Sequence, residues 1–143
     1  MQLVRAFEQS NATQVGFGIR VLLVTSVGDN PVRNKLAGLG SLIETTDDLF
    51  LGLEAAIKDP AGYGLFVIDC DSIGGFDAGR RAIAMLGDAA RRLPVILISR
   101  ECQQQQFPED RGTAVVLRAP LSAVSMRVGF EHALRDRLSM RAA

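Results

Sequence analysis

Apolar residues along this chain gather in short unbroken runs set off by glycine and polar residues. Three runs dominate: Val21-Leu22-Leu23-Val24, Leu65-Phe66-Val67-Ile68 and Val95-Ile96-Leu97-Ile98. Runs of four without alternation predict strands buried on both faces, as in a parallel sheet covered by helices. Ala114-Val115-Val116-Leu117 predicts a further strand, and Ser41-Leu42-Ile43-Glu44-Thr45 a short one. Helical signals fill the intervals. Asn30-Pro31 supplies an N-cap and a proline at the first helical position, with Gly38 or Gly40 as the stop. Residues 47–58 place Leu49, Leu53, Ala56 and Ile57 on one stripe, with Thr46 or Asp47 as cap and Pro60 beyond. Residues 77–92 predict an alanine- and arginine-rich helix that buries Ile83, Met85 and Leu86, closed by Leu93-Pro94. Residues 122–140 space Met126, Phe130, Leu134 and Leu138 four apart, with Arg135, Arg137 and Arg141 toward the negative helix end. Alternating strands and helices predict an α/β protein with a doubly wound, five-stranded parallel sheet.

One interval breaks the rhythm. Between Ser99 and Thr113 the chain reads RECQQQQFPEDRG, with almost no apolar stripe and Pro108 cutting it short. A shortened fourth helix of one turn, or a loop anchored by Phe107, is expected there. Residues 1–19 read as an N-terminal extension with a short helix around Leu3–Phe7, and residues 20–141 as the domain itself.

At 143 residues, 48% apolar and 22% charged, the chain has the size and composition of one soluble globular domain. No apolar run approaches the roughly 20 residues of a membrane helix, and the first residues are too polar for a secretory signal. Cys70 and Cys102 match no metal-ligand spacing and no disulfide framework, which points to a reducing, cytoplasmic setting. Sixteen basic residues balance sixteen acidic ones, so a nucleic-acid-binding role for this domain is not expected. The balance conceals a separation. Residues 44–77 carry eight acids against Lys58 alone, whereas residues 78–143 carry eleven arginines against six acids.

In an open α/β sheet, sites form beyond the carboxyl ends of the strands. Thr25-Ser26 follow the first strand, Asp69-Cys70-Asp71 the third, Ser99-Arg100 the fourth and Arg118-Ala119-Pro120 the fifth. An aspartate ending strand three, a small hydroxyl ending strand four and a basic residue plus proline ending strand five resemble a response-regulator receiver domain of the CheY-like, flavodoxin-like type. The likeness covers roughly residues 20–138. It implies a phosphoacceptor at Asp69, a phosphoryl-binding hydroxyl at Ser99 and a lysine where Ala119 stands. Arg118 lies one residue early, and a one-residue shift along a strand points a side chain to the opposite face. The acidic pair that would hold magnesium falls on Thr25-Ser26, and the aromatic switch position on Val116. Asp69, Asp71 and Asp29 are the weak metal candidates that remain.

These departures strip away most of the positive charge that aspartyl phosphorylation needs. The expectation is therefore an atypical receiver, a pseudo-receiver of a two-component system. It would bind no cofactor, with magnesium only if Asp69 is phosphorylatable, and would not be an enzyme. It would act by contact with signalling proteins such as a histidine kinase, a phosphotransfer protein or an output protein, and form a homodimer. The resemblance places such contacts on the face of the last helix, at Arg127, Phe130 and Arg135. The alternatives are a working phosphoacceptor at Asp69 with an unusual magnesium site, and a sensor of a small anion or nucleotide. On a bland reading Asp69, Asp71 and Asp77 are loop and cap acids, Cys70 is a packed hydrophobe, and His132 is an edge residue.

Overall fold

In a computed structural model, residues 14–135 are described. Five strands form one parallel sheet: β1 (Arg20–Val24), β2 (Leu42–Thr46), β3 (Leu65–Asp69), β4 (Val95–Ser99) and β5 (Val115–Arg118), in the order β2-β1-β3-β4-β5. The helices are α1 (Pro31–Gly38), α2 (Leu49–Lys58), α3 (Phe76–Leu86), α4 (Ala89–Arg92) and α5 (Ala123–Ala133). The three unbroken apolar runs become the three central strands. Their alternate side chains feed two separate cores. Val21, Leu23, Leu65, Val67, Ile96 and Ile98 pack with Leu36 of α1 and Met126 and Phe130 of α5. Leu22, Val24, Phe66, Ile68 and Leu97 pack with Leu53 of α2 and Ala82 and Leu86 of α3. Burial on both faces accounts for the absence of alternation in these strands.

Close helix–sheet approach depends on α-helical glycines. A Cβ on Gly79 of α3 would lie 2.5 Å from Cys70 Sγ, and one on Gly129 of α5 would lie 2.8 Å from Leu117 Cδ1.

Several expectations need correction. The helix expected over 77–92 is two helices, broken at Gly87, where φ is +56°, a value that favours glycine. Met85 is exposed, because the buried stripe of α3 runs through Ala78, Ala82 and Leu86. Ile57 is exposed for the same reason: Gly52, Leu53 and Ala56 form the inner side of α2. The cap of α2 is Asp48, one residue later than expected, with its carboxylate accepting from Phe50 N and Leu51 N. Of the two expectations for the fourth crossover, the shortened one-turn helix is not formed and the loop is. Residues 100–114 instead run as a loop whose Gln106 pairs with Val116 through two backbone hydrogen bonds of 2.9 and 3.0 Å, covering the edge of β5. Phe107 is half-exposed and meets the His132 ring edge-on. The helix expected near Leu3–Phe7, and Leu138, Arg137 and Arg141, lie outside the described residues.

Candidate functional site

Asp69 ends β3 and therefore sits at the carboxyl edge of the sheet, where the loops after β1 and β4 converge. Its Oδ2 accepts a hydrogen bond from Thr25 Oγ1 at 2.9 Å and another from Asn30 Nδ2 at 2.9 Å. Asn30 also donates to Thr25 Oγ1 at 2.6 Å, while its own Oδ1 caps α1 by accepting from Val32 N at 2.7 Å. Both Thr25 and Asn30 are buried. One asparagine thus ends a loop, starts a helix and holds a carboxylate, which uses all of its side-chain polar atoms.

Beside this trio the loops after β1 and β3 are stitched together. Ser26 N donates to Ser72 Oγ at 3.0 Å, Ser26 Oγ donates to Ser72 O at 2.8 Å, and Ser72 Oγ donates to Asp69 O at 2.9 Å. The second carboxylate, Asp71, faces β4. Its Oδ1 accepts from the Ser99 hydroxyl at 2.6 Å and its Oδ2 from Arg100 N at 2.7 Å. Ser99 is fully buried, so this bond satisfies a hydroxyl that water does not reach. The Ser99 oxygen accepts in turn from Glu101 N at 3.0 Å. Glu101 then reaches across to Phe76 N at the start of α3, at 3.3 Å.

A cleft of about 870 Å³ opens over these strand ends, bordered by Asp69, Asp71, Glu101, Lys35, Arg100 and Pro120. The Ala119-Pro120 peptide is cis. Arg118 does not border the cleft: its backbone N donates to Gln105 Oε1 and its guanidinium to Gln103 O, so it braces the 103–105 loop. Asp29 is exposed and lies outside the cleft lining. Two contributors carry no site signal in the sequence: Asn30 signals only a helix cap, and nothing singles out Lys35. Neither lies in a strand-end motif, and the turn of α1 is what brings them in.

The donor set does not fit a magnesium ion. Hard cations of this size want carboxylates backed by phosphate oxygens or water. Here the position after β1 offers neutral hydroxyls already engaged with Asp69 and Ser72, and Asp71 is bound to Ser99 and Arg100. Among the described residues, no three His, Cys, Asp or Glu side chains are grouped to hold a metal.

Cys70 is buried, and desolvation pushes its thiol up to about 12, so it stays protonated and packs as a hydrophobe. His132 is half-buried and hydrogen-bonds Pro108 O at 2.6 Å through Nε2. Of the proposed contact residues, Phe130 is fully buried and is a core residue, not a surface one. Arg127 pairs with Glu131 one turn on, at 2.9 Å. Arg135 holds His132 O and Glu109 O. The exposed apolar side chains of α5 are Val124 and Val128.

The fold is that of response-regulator receiver domains, a flavodoxin-like α/β arrangement. A "probable two-component system response regulator/GGDEF domain protein" superposes with a TM-score of 0.67 at 17% identity over 96% of this chain. The chain spans only 57% of that protein. The receiver domain of the histidine kinase CKI1 from Arabidopsis thaliana gives a TM-score of 0.58 at 16% identity, covering 90% of this chain and 95% of that one. The receiver domain of a sensor histidine kinase from Pseudomonas aeruginosa, with magnesium in its active-site cleft, gives 0.54 at 21% identity, covering 85% and 98%. No protein-family model matches the sequence. No curated protein matches it either. Among the described residues, no helix is long and apolar enough to cross a membrane.

Proposed function

We propose that this domain is a pseudo-receiver of a two-component-type signalling system, working by protein contact without phosphorylation of Asp69 and without catalysis of its own. The observation that carries this reading is the state of the two key groups. Asp69 is held by neutral donors from Thr25 and Asn30, and Ser99 is held by Asp71. A phosphoryl group arriving at Asp69 would meet Asp71 beside it and a serine already engaged. Like charges that close are costly, and the compensating cation has no seat.

The reading is tested by incubating the protein with magnesium and a small acyl-phosphate donor and measuring intact mass. No added phosphoryl group is expected. A gain of one that vanishes in Asp69→Asn overturns it. Phosphotransfer to Asp69 keeps one supporting observation, since Oδ1 has no hydrogen-bond partner among the described residues and Lys35 and Arg100 border the same cleft.

The contact surface in this reading is the outer side of α5. Val124 is 72% and Val128 46% exposed, one turn apart, with Arg127 beside them. Paired exposed valines on a helix suit an apolar contact with a second copy or a signalling protein. Val124→Asp with Val128→Asp is expected to abolish self-association in sedimentation velocity; an unchanged dimer fraction removes this face from the proposal.

A further inference from the structure

At the opposite end of the sheet from Asp69, the basic half of the chain folds into a second cavity. It measures about 380 Å³ and lies below the amino ends of β4 and β5. Four arginines border it: Arg91 and Arg92 from the end of α4, Arg111 from the 100–114 loop, and Arg135 after α5. Among the described residues, the single carboxylate in the lining is Asp110, whose oxygens accept within its own turn, at 3.3 Å from Gly112 N and 3.1 Å from Thr113 Oγ1. Arg91 and Arg92 are exposed, and within the described residues no hydrogen bond or ion pair holds either guanidinium. Only α4 could offer them a helix dipole, and at four residues it has few aligned peptides to do so.

The walls are fixed before anything binds. Arg135 donates to His132 O and Glu109 O, and His132 bonds Pro108 O, which ties the loop to α5. Pro94, Pro108 and Leu134 give the cavity an apolar side. The Arg91 stem lies over Gly112, 3.6 Å from where a Cβ there would sit.

We propose that this cavity binds a small anion bearing two or more phosphate groups, with the phosphates at Arg91 and Arg92. Arginine forks match phosphate oxygens in pairs, and the two open forks of Arg91 and Arg92, side by side at one cavity, favour a multiply charged ligand over a single carboxylate. The volume falls in the range of small-molecule sites, and the apolar side can receive the flat part of a nucleotide. The site is separate from the Asp69 cleft and stands whether or not Asp69 accepts a phosphoryl group.

The test is calorimetric titration of the protein at low salt with inorganic pyrophosphate and, separately, adenosine triphosphate without magnesium. Saturable binding of at least one probe, one per chain, is expected, with amide shifts at Gly112, Thr113 and Ala133. Arg91→Gln with Arg92→Gln is expected to weaken binding about tenfold or more, a loss of about 1.4 kcal/mol per tenfold. Arg80→Gln with Arg81→Gln removes the same charge from α3, outside this cavity, and is expected to leave binding unchanged. Circular dichroism verifies that both variants fold. Absence of saturation with either probe in the millimolar range overturns the proposal. So does an equal loss in the two double variants, which marks general charge attraction.

Discussion

The two ends of this sheet handle charge in opposite ways. At the carboxyl end, Asp69 and Asp71 are each clasped by two donors, so their charge is spent on holding the loops after β1, β3 and β4 together. At the amino end of β4 and β5, Arg91 and Arg92 project over a cavity whose one carboxylate among the described residues, Asp110, is bonded within its own turn. Charged side chains engaged in the fold's own hydrogen bonds act mainly as structure, whereas charges left open remain available to a partner. The end that the receiver fold would mark as functional is therefore the one whose acids are the more closed in by hydrogen bonds.

The sharpest way to break this contrast is to unlock the closed end. Asn30→Ala removes the α1 cap and both donors to Thr25 and Asp69 in one step. Loss of a cap plus buried, unpaired partners is expected to cost about 2–3 kcal/mol, read as a lower urea midpoint with an unchanged slope. Asp71→Ala comes next. It strands the buried Ser99 hydroxyl but leaves Arg100 N–H open to water, so about 1–2 kcal/mol is expected. If Asp71→Ala proves neutral in urea denaturation, the clasp is not structural. The open end should behave otherwise. Arg91→Gln with Arg92→Gln is expected to change stability by less than about 0.5 kcal/mol, since neither guanidinium is holding anything within the described fold.

The contrast also explains what could be read from the chain and what could not. Strands β1, β3 and β4 were legible because burial on both faces leaves an unbroken apolar run. The position of Asp69 was legible because a single aspartate follows such a run. The cap geometry of Asn30 was legible locally, but not its reach to Asp69, which depends on how α1 leaves β1. Phe130 followed a four-residue spacing that correctly marked a helix, yet spacing does not say which side faces the sheet. It lies inside, and Val124 and Val128 lie outside. The missing crossover helix was half-legible. RECQQQQFPEDRG signals weak helix, but the pairing of Gln106 with Val116 has no sequence signature, because it rests on backbone atoms alone.

The smallest expected effect sharpens the comparison at the amino end itself, where the β1–β2 side contains a cation that is matched. Arg20 bonds Glu44 at 3.1 Å and lies 4.5 Å over the Tyr63 ring. The Tyr63 hydroxyl, and then Arg20, hold the Glu44 carboxyl below its usual value of 4.5. Because the folded value is lowered, the stabilisation is present above the unfolded pKa and is lost as pH falls through the folded one. The same bond, with burial, raises Tyr63 above 10, so its contribution is present below 10 and fades as pH rises through the raised value. Tyr63→Phe keeps the ring under Arg20 and removes the bond. Since Glu44 is half-exposed, solvent screening limits the loss to about 0.3 kcal/mol near neutrality. The gap between the two proteins should close below pH 4.5 in denaturant titrations. A gap that persists unchanged at low pH would mean that the tyrosine hydroxyl acts through packing and not through Glu44. In that case the match to Arg20 would rest on Glu44 and Gly62 O without the tyrosine hydroxyl, and the contrast with Arg91 and Arg92 would stand on those bonds alone.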